Sequence, residues 1–229
     1  MKTCKIHGEY KPQKICFGNS VLYSSCPKCA DDYAKEEKKE KRRELLKRSG
    51  VPIRFENKGF DSFVTSNKKA EEIKLTMKKY ADNFKGIKPH GTSLILSGNP
   101  GTGKTHLGCS IVLNLLDQGE MALYRSFYDI VAEMRNMFSS DEKDVLIIGK
   151  YLNVRLLILD EVGVQCSSDF EKDLLFRIIN SRYENKRPTI LLTNLNYGDL
   201  EKVIGQRIID RFNEKKGGFY TFDWESYRK

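Results

Sequence analysis

Eight consecutive residues, Gly98-Asn99-Pro100-Gly101-Thr102-Gly103-Lys104-Thr105, match the spacing GxxxxGK[ST] at every fixed position. The chemistry this pattern serves is phosphate binding. Glycines let the backbone turn its N–H groups inward as an anion nest, and the helix that follows adds partial positive charge beneath the phosphates. Lys104 is then within reach of the β- and γ-phosphates, the Thr105 hydroxyl can ligate Mg²⁺, and His106 completes a predicted nucleotide-binding run over 98–106. A bound nucleoside triphosphate, ATP, is the expectation.

Four further groups have types and spacing suited to chemistry. Leu156-Leu157-Ile158-Leu159 is an apolar run closed by Asp160 and Glu161. Alone, it is most simply a strand ending in surface acids; downstream of a phosphate loop, with a strand and a helix between, it reads as a buried parallel strand carrying its acids to the ligand-binding edge. Asp160 would hold Mg²⁺ directly or through water, and Glu161 would take a proton from the water attacking the γ-phosphorus. Thr189 to Asn194 is another strand ending in a polar residue; Asn194 suits either water orientation or a turn. Arg207 and Arg211 are four apart and share one helical face, where they could meet a phosphate of the same or a neighbouring chain.

The last group is metal-like. Cys4-Lys5-Ile6-His7 and Cys26-Pro27-Lys28-Cys29 are C-x2-H and C-x2-C pairs, each beside turn residues, with residues 8–25 between them. That is zinc-ribbon or zinc-knuckle spacing, and a segment of about thirty residues needs such a metal to fold. The predicted Zn²⁺ ligands are Cys4, His7, Cys26 and Cys29, with Cys16 as substitute if His7 is not one. Cys16, Cys109 and Cys166 otherwise read as small core residues.

These groups need elements to position them. Leu94-Ile95-Leu96-Ser97 predicts a strand before the loop, and Leu107, Ile111, Val112 and Leu115 recur at helical spacing over 105–117. From Asp31 to Arg48 the chain is almost wholly charged, an exposed helical connector. The expected organisation is a zinc-binding module over 1–30, a charged linker over 31–50 and a nucleotide-binding domain over 51–229. With 229 residues the chain can bury one good core plus a small module, and its formal net charge of +9 suits a polyanion. No apolar run approaches membrane-spanning length and no signal core opens the chain, so a cytoplasmic protein with no membrane partner is expected. The run Tyr124-Arg125-Ser126-Phe127-Tyr128, with the helix to Phe138 and its Arg135, mixes aromatics with cations as single-stranded DNA contacts do, although such spacing also suits a core.

Residues 98–105, 157–165, 192–194, 205–211 and the tail 222–228, together with the opening segments 49–55 and 60–63, resemble the DnaC-type bacterial helicase loaders of the AAA+ ATPases, over residues 49–229. The resemblance implies an AAA+ core with a five-stranded parallel sheet between helices. It also implies Glu161 as catalytic base, Asn194 as first sensor, and Arg211, with Arg207 as its partner or alternative, as an arginine finger given to a neighbouring subunit. Arg228 becomes a candidate second sensor. Only residues 195–229 follow Asn194, too few for the helical lid of most AAA+ proteins, so self-association through the ATP sites is expected. By analogy the N-terminal module grips a hexameric, DnaB-like replicative helicase while the core engages single-stranded DNA. The Cys/His cluster departs from the best-known members. The leading expectation is ATP-dependent helicase loading at replication initiation; an IstB-like ATPase working with a transposase is the alternative. A small-molecule P-loop kinase is disfavoured by the acidic pair, and a zinc-bearing scaffold with ATP as a switch would show no hydrolysis.

Overall fold

The computed structural model describes residues 1–17, 20–65, 67–136, 148–163, 168–214 and 217–228, with backbone alone for 15–17, 20 and 21. The chain divides into two compact units, Met1–Glu44 and Leu45–Lys229. In the first, β1 (Lys2–Cys4) pairs antiparallel with β2 (Gly8–Tyr10), and β3 (Lys14–Phe17) with β4 (Ser20–Tyr23). Helix α1 (Pro27–Ser49) follows and carries the division within it. The predicted charged connector lies in α1 except for Gly50. Up to Glu44 its polar surface all round is that of a solvated helix, whereas Leu45 and Leu46 pack against the core of the second unit and Ser49 is buried.

The second unit is built on a five-stranded sheet in the order β6-β7-β8-β5-β9. Its strands are β5 (Leu94–Gly98), β6 (Ala122–Ser126), β7 (Leu156–Asp160), β8 (Thr189–Thr193) and β9 (Gly218–Phe222). Every neighbouring pair is parallel. Strands β7 and β8 are buried at all positions, which is why they read as unbroken apolar runs. Alternation still sorts their side chains by face. Leu94, Leu96, Leu156, Ile158, Ile190 and Leu192 join one core with α2 (Lys68–Asp82) and α4 (Lys104–Asp117). Ile95, Leu157, Leu159 and Leu191 join the other. There they meet α5 (Phe127–Arg135), α6 (Asp169–Glu184), α7 (Tyr197–Ile204) and α8 (Gln206–Asn213). A short helix, α3 (Phe84–Ile87), follows α2.

Because all five strands run the same way, Gly98, Ser126, Asp160 and Thr193 end at one edge of the sheet. One buried cation holds the opposite edge together. Arg182 is fully buried on α6 and donates to Tyr151, Leu152 and Val154 carbonyls at 2.7, 3.2 and 3.0 Å, to Pro188 at 2.6 Å and to the Thr189 hydroxyl at 2.9 Å. It thereby ties the helical residues 148–153 to the starts of β7 and β8, giving their carbonyls a charged donor. Among the described residues no helix is long and apolar enough to cross a membrane.

Candidate nucleotide site and metal-ligand cluster

The loop leaving β5 is shaped by glycines that no other residue could replace in this packing. Gly98 has φ 139°, and a Cβ there would lie 2.1 Å from the Phe222 carbonyl oxygen. Gly103 has φ 94°, and a Cβ would lie 2.4 Å from the Phe63 ring. The C-terminal segment straps the loop from outside. Asn99 N–H donates to the Phe222 carbonyl at 3.1 Å, Trp224 Nε1 to the Thr102 carbonyl at 3.1 Å, and Tyr227 N–H to the Gly101 carbonyl at 3.0 Å. Lys104 folds back over the loop, its ammonium donating to the Gly98 and Asn99 carbonyls at 2.7 and 2.8 Å. Burial pulls its pKa down to about 8, the nearby Asp160 charge opposing. A poorly hydrated cation whose hydrogen-bond partners among the described residues are carbonyls is well prepared for phosphate oxygens.

The acids stand where β7 ends. Asp160 is buried; its Oδ2 accepts from the Thr105 hydroxyl at 2.7 Å and the Tyr124 hydroxyl at 2.6 Å, and its Oδ1 from Glu161 N–H at 2.8 Å. Glu161 is exposed and takes φ 59°, a left-handed conformation uncommon outside glycine and concentrated at functional sites. Its Oε2 accepts from Ser126 at 2.8 Å. Lys104, Thr105, Asp160, Glu161 and Asn194 all line one cleft of about 640 Å³, a size in the range of small-ligand sites.

His106 lies on the same wall, its Nε2 3.0 Å from the Ser62 hydroxyl and its ring edge-on to Phe63 at 5.4 Å. Burial holds its pKa below the usual histidine value. Arg228 also lines the cleft, with Arg54 and Lys58. Arg207 and Arg211 do not. Arg207 is exposed on α8, and the Arg211 guanidinium sits 5.5 Å from the Phe176 ring and 5.0 Å from the Tyr183 ring, with Nη1 buried and without a hydrogen-bond partner among the described residues. In the aromatic run at 124–128, burial favours the core reading over single-stranded DNA contact. Tyr124 and Phe127 face the core, leaving Tyr128 as its exposed ring, and Arg135 pairs with Glu171 at 2.9 Å. Phe138 and Cys166 lie outside the described residues, as does the Cys16 side chain.

In the N-terminal unit, Cys4 ends β1, His7 sits in the hairpin turn, Cys26 precedes α1 and Cys29 is in its first turn. Their four ligand atoms all lie within 4.8 Å of one another. The His7 Nδ1 is 3.3 Å from Cys29 Sγ, 3.8 Å from Cys26 Sγ and 3.9 Å from Cys4 Sγ, and Cys4 and Cys29 sulfurs are 3.3 Å apart. Zn–S bonds of about 2.3 Å at tetrahedral angles require sulfur separations of about 3.8 Å, so this donor set fits a zinc ion with little adjustment. The outer ring nitrogen of His7 is 3.1 Å from the Asp32 carboxylate, which fixes the tautomer that turns Nδ1 toward the sulfurs. Hydrogen bonding splits the two thiols. The Ile6 backbone N–H leads in pulling Cys4 down to about 6, and the bond to Cys4 leads in pushing Cys29 up to about 12.

Strand order, phosphate loop and acidic pair define a P-loop nucleotide-binding protein with the AAA+ fold. The profile of the IstB-like ATP binding proteins matches residues 67–228. The replicative helicase loader DnaC of Escherichia coli is 32% identical over 195 residues, spanning 85% of this chain and 78% of that protein. A crystal structure of the DnaC helicase loader superposes with a TM-score of 0.65 at 24% identity, covering 74% of this chain and 99% of that one. DnaA from Aquifex aeolicus superposes at 0.63 and 20% identity, covering 77% of this chain and 52% of DnaA. The chain belongs to the IstB-like ATP-binding protein family.

Proposed function

We propose that this chain is a cytoplasmic ATPase that loads a DnaB-like hexameric replicative helicase onto single-stranded DNA. The observation that carries this reading is the 32% identity to a replicative helicase loader across 85% of the chain. In this reading residues 98–106 bind ATP, and Lys104 neutralises its β- and γ-phosphates. Thr105 and Asp160 hold Mg²⁺, which supplies charge neutralisation at the phosphates. Glu161 takes the proton of the attacking water, Asn194 orients that water, and Arg211 or Arg207 completes the site of a neighbouring copy. The second reading, an IstB-like helper of a transposase, is favoured by the family profile over 67–228. Immobilised full-length chain, charged with ATP and offered purified helicase or purified transposase from the native host, separates them. Retention of the helicase, with phosphate release stimulated by single-stranded DNA, is expected; retention of the transposase alone would overturn the loader. Release of phosphate without an added acceptor also excludes a small-molecule kinase.

The N-terminal unit, in this reading, is folded by Zn²⁺ held by Cys4, His7, Cys26 and Cys29 and grips the helicase. Zinc here is structural: four protein ligands close the tetrahedron, and a unit this small lacks the core to fold without it. Protein purified without chelator should contain about one zinc per chain, and Cys26→Ser should lose it along with helicase retention. Zinc-free protein with an intact N-terminal unit by circular dichroism would refute the assignment.

A further inference from the structure

Strand β6 contributes a side chain that the phosphate-loop and acidic-pair motifs do not include. Tyr124 is 9% exposed, lines the nucleotide cleft and donates its hydroxyl to Asp160 Oδ2 at 2.6 Å. The same oxygen accepts from Thr105 at 2.7 Å, and Oδ1 from the Glu161 backbone at 2.8 Å. Ser126, two residues further along β6 and on the same face, makes the corresponding contact to Glu161, but that pair is exposed and water can replace it. Water has little access to the Tyr124–Asp160 pair, because Asp160 is itself only 7% exposed.

We propose that Tyr124 is a positioning residue for the metal-binding pole of the site. It holds Asp160 in the rotamer at which the carboxylate accepts the hydrogen bond donated by the Thr105 hydroxyl, leaving the lone pairs of Thr105 Oγ1 turned to the cleft, where a cation beside the phosphates must be met. This rests on the reading of Thr105 and Asp160 as the Mg²⁺ residues. The terminal torsion of an aspartate is intrinsically broad, so its orientation has to come from donors. Without the phenol, Oδ2 keeps only Thr105, and the carboxylate and the threonine hydroxyl can turn together.

The test is Tyr124→Phe in the full chain, which removes one oxygen and keeps the ring in the core. Binding of a fluorescent ADP is measured in EDTA and across a Mg²⁺ titration, beside thermal melting by circular dichroism. Affinity in EDTA is expected to match wild type, while the Mg²⁺ concentration giving half of the metal-dependent tightening rises about ten- to a hundredfold, the loss typical of a hydrogen bond to a charged group. In an Asp160→Ala background, where no acceptor remains for the phenol, Tyr124→Phe should have no further effect on the Mg²⁺ requirement. An unchanged Mg²⁺ curve overturns the proposal. So does an equal loss with and without metal, or unfolding of the variant, since the hydroxyl would then be structural. Absence of nucleotide binding in the wild-type chain would instead overturn the underlying site.

Discussion

Lys104→Ala is expected to abolish productive ATP binding, whereas Glu161→Gln should keep the nucleotide bound and stop its hydrolysis. The two side chains face the same cleft but act at different stages. Lys104 neutralises phosphate charge already present in the bound ground state. Its ammonium donates to two loop carbonyls, at 2.7 and 2.8 Å, and can exchange them for phosphate oxygens without leaving the loop. Two hydrogen bonds to charged groups are worth about 3–6 kcal/mol, about a hundred- to ten-thousandfold in affinity. Glu161 is exposed, on a left-handed backbone, and touches Ser126 rather than the loop, so it contributes little to binding. Its expected work comes as water loses a proton, where a general base is worth about a hundred- to ten-thousandfold in rate. Glutamine keeps the size and the backbone conformation while removing the basicity. Fluorescent-nucleotide titration and phosphate release separate the effects; wild-type hydrolysis by Glu161→Gln would move the base elsewhere.

What could be read in advance is what neighbours in sequence settle among themselves. The phosphate loop is local: glycine spacing, the strand before it and the helical recurrence of Leu107, Ile111, Val112 and Leu115 lie within a few turns of one another, and α4 buries all four. The runs ending at Asp160 and Asn194 are legible because strands covered on both faces must be apolar throughout. The Cys/His pairs are legible because two short turns each bring two ligands, and the four atoms do converge. What was hidden depends on contacts across the sheet. Tyr124 reads equally well as a stacking platform, and only the pairing of β6 with β7 reveals that its hydroxyl meets Asp160. Arg182 carries no local signal, because nothing nearby in sequence announces the carbonyls of residues 151, 152, 154 and 188 that surround it. The strap is hidden for the same reason: Trp224 reaches a loop residue 122 positions away.

Arg211→Ala is expected to leave nucleotide affinity intact in the isolated chain and to lose DNA- or partner-stimulated hydrolysis by a factor that reaches about a thousandfold. The reasoning starts from where Arg211 lies. The cations on its own chain's cleft are Arg54, Lys58, Lys104 and Arg228, whereas Arg211 lies over the Phe176 and Tyr183 rings of α6, beside the buried Ile208, Ile209 and Phe212 of its own helix. A cation over two rings, with one nitrogen buried and unbonded among the described residues, has most to gain from an incoming anion. In the proposed assembly, a phosphate held by another copy would bring that anion to α8 without refolding the helix. Losing the stacking contact should cost little stability, about 0.5–2 kcal/mol, so a melting curve close to wild type accompanies the prediction. Arg207→Ala, removing an exposed cation four residues away, decides which of the two arginines is the finger. The sharper experiment mixes Arg211→Ala with Lys104→Ala chains. The first brings an intact phosphate loop and the second an intact arginine, so a mixed assembly rebuilds one class of complete site. Recovery of stimulated phosphate release on mixing is the expected result. Its absence, in mixtures shown by sedimentation to co-assemble, would mean that Arg211 serves the chain that carries it.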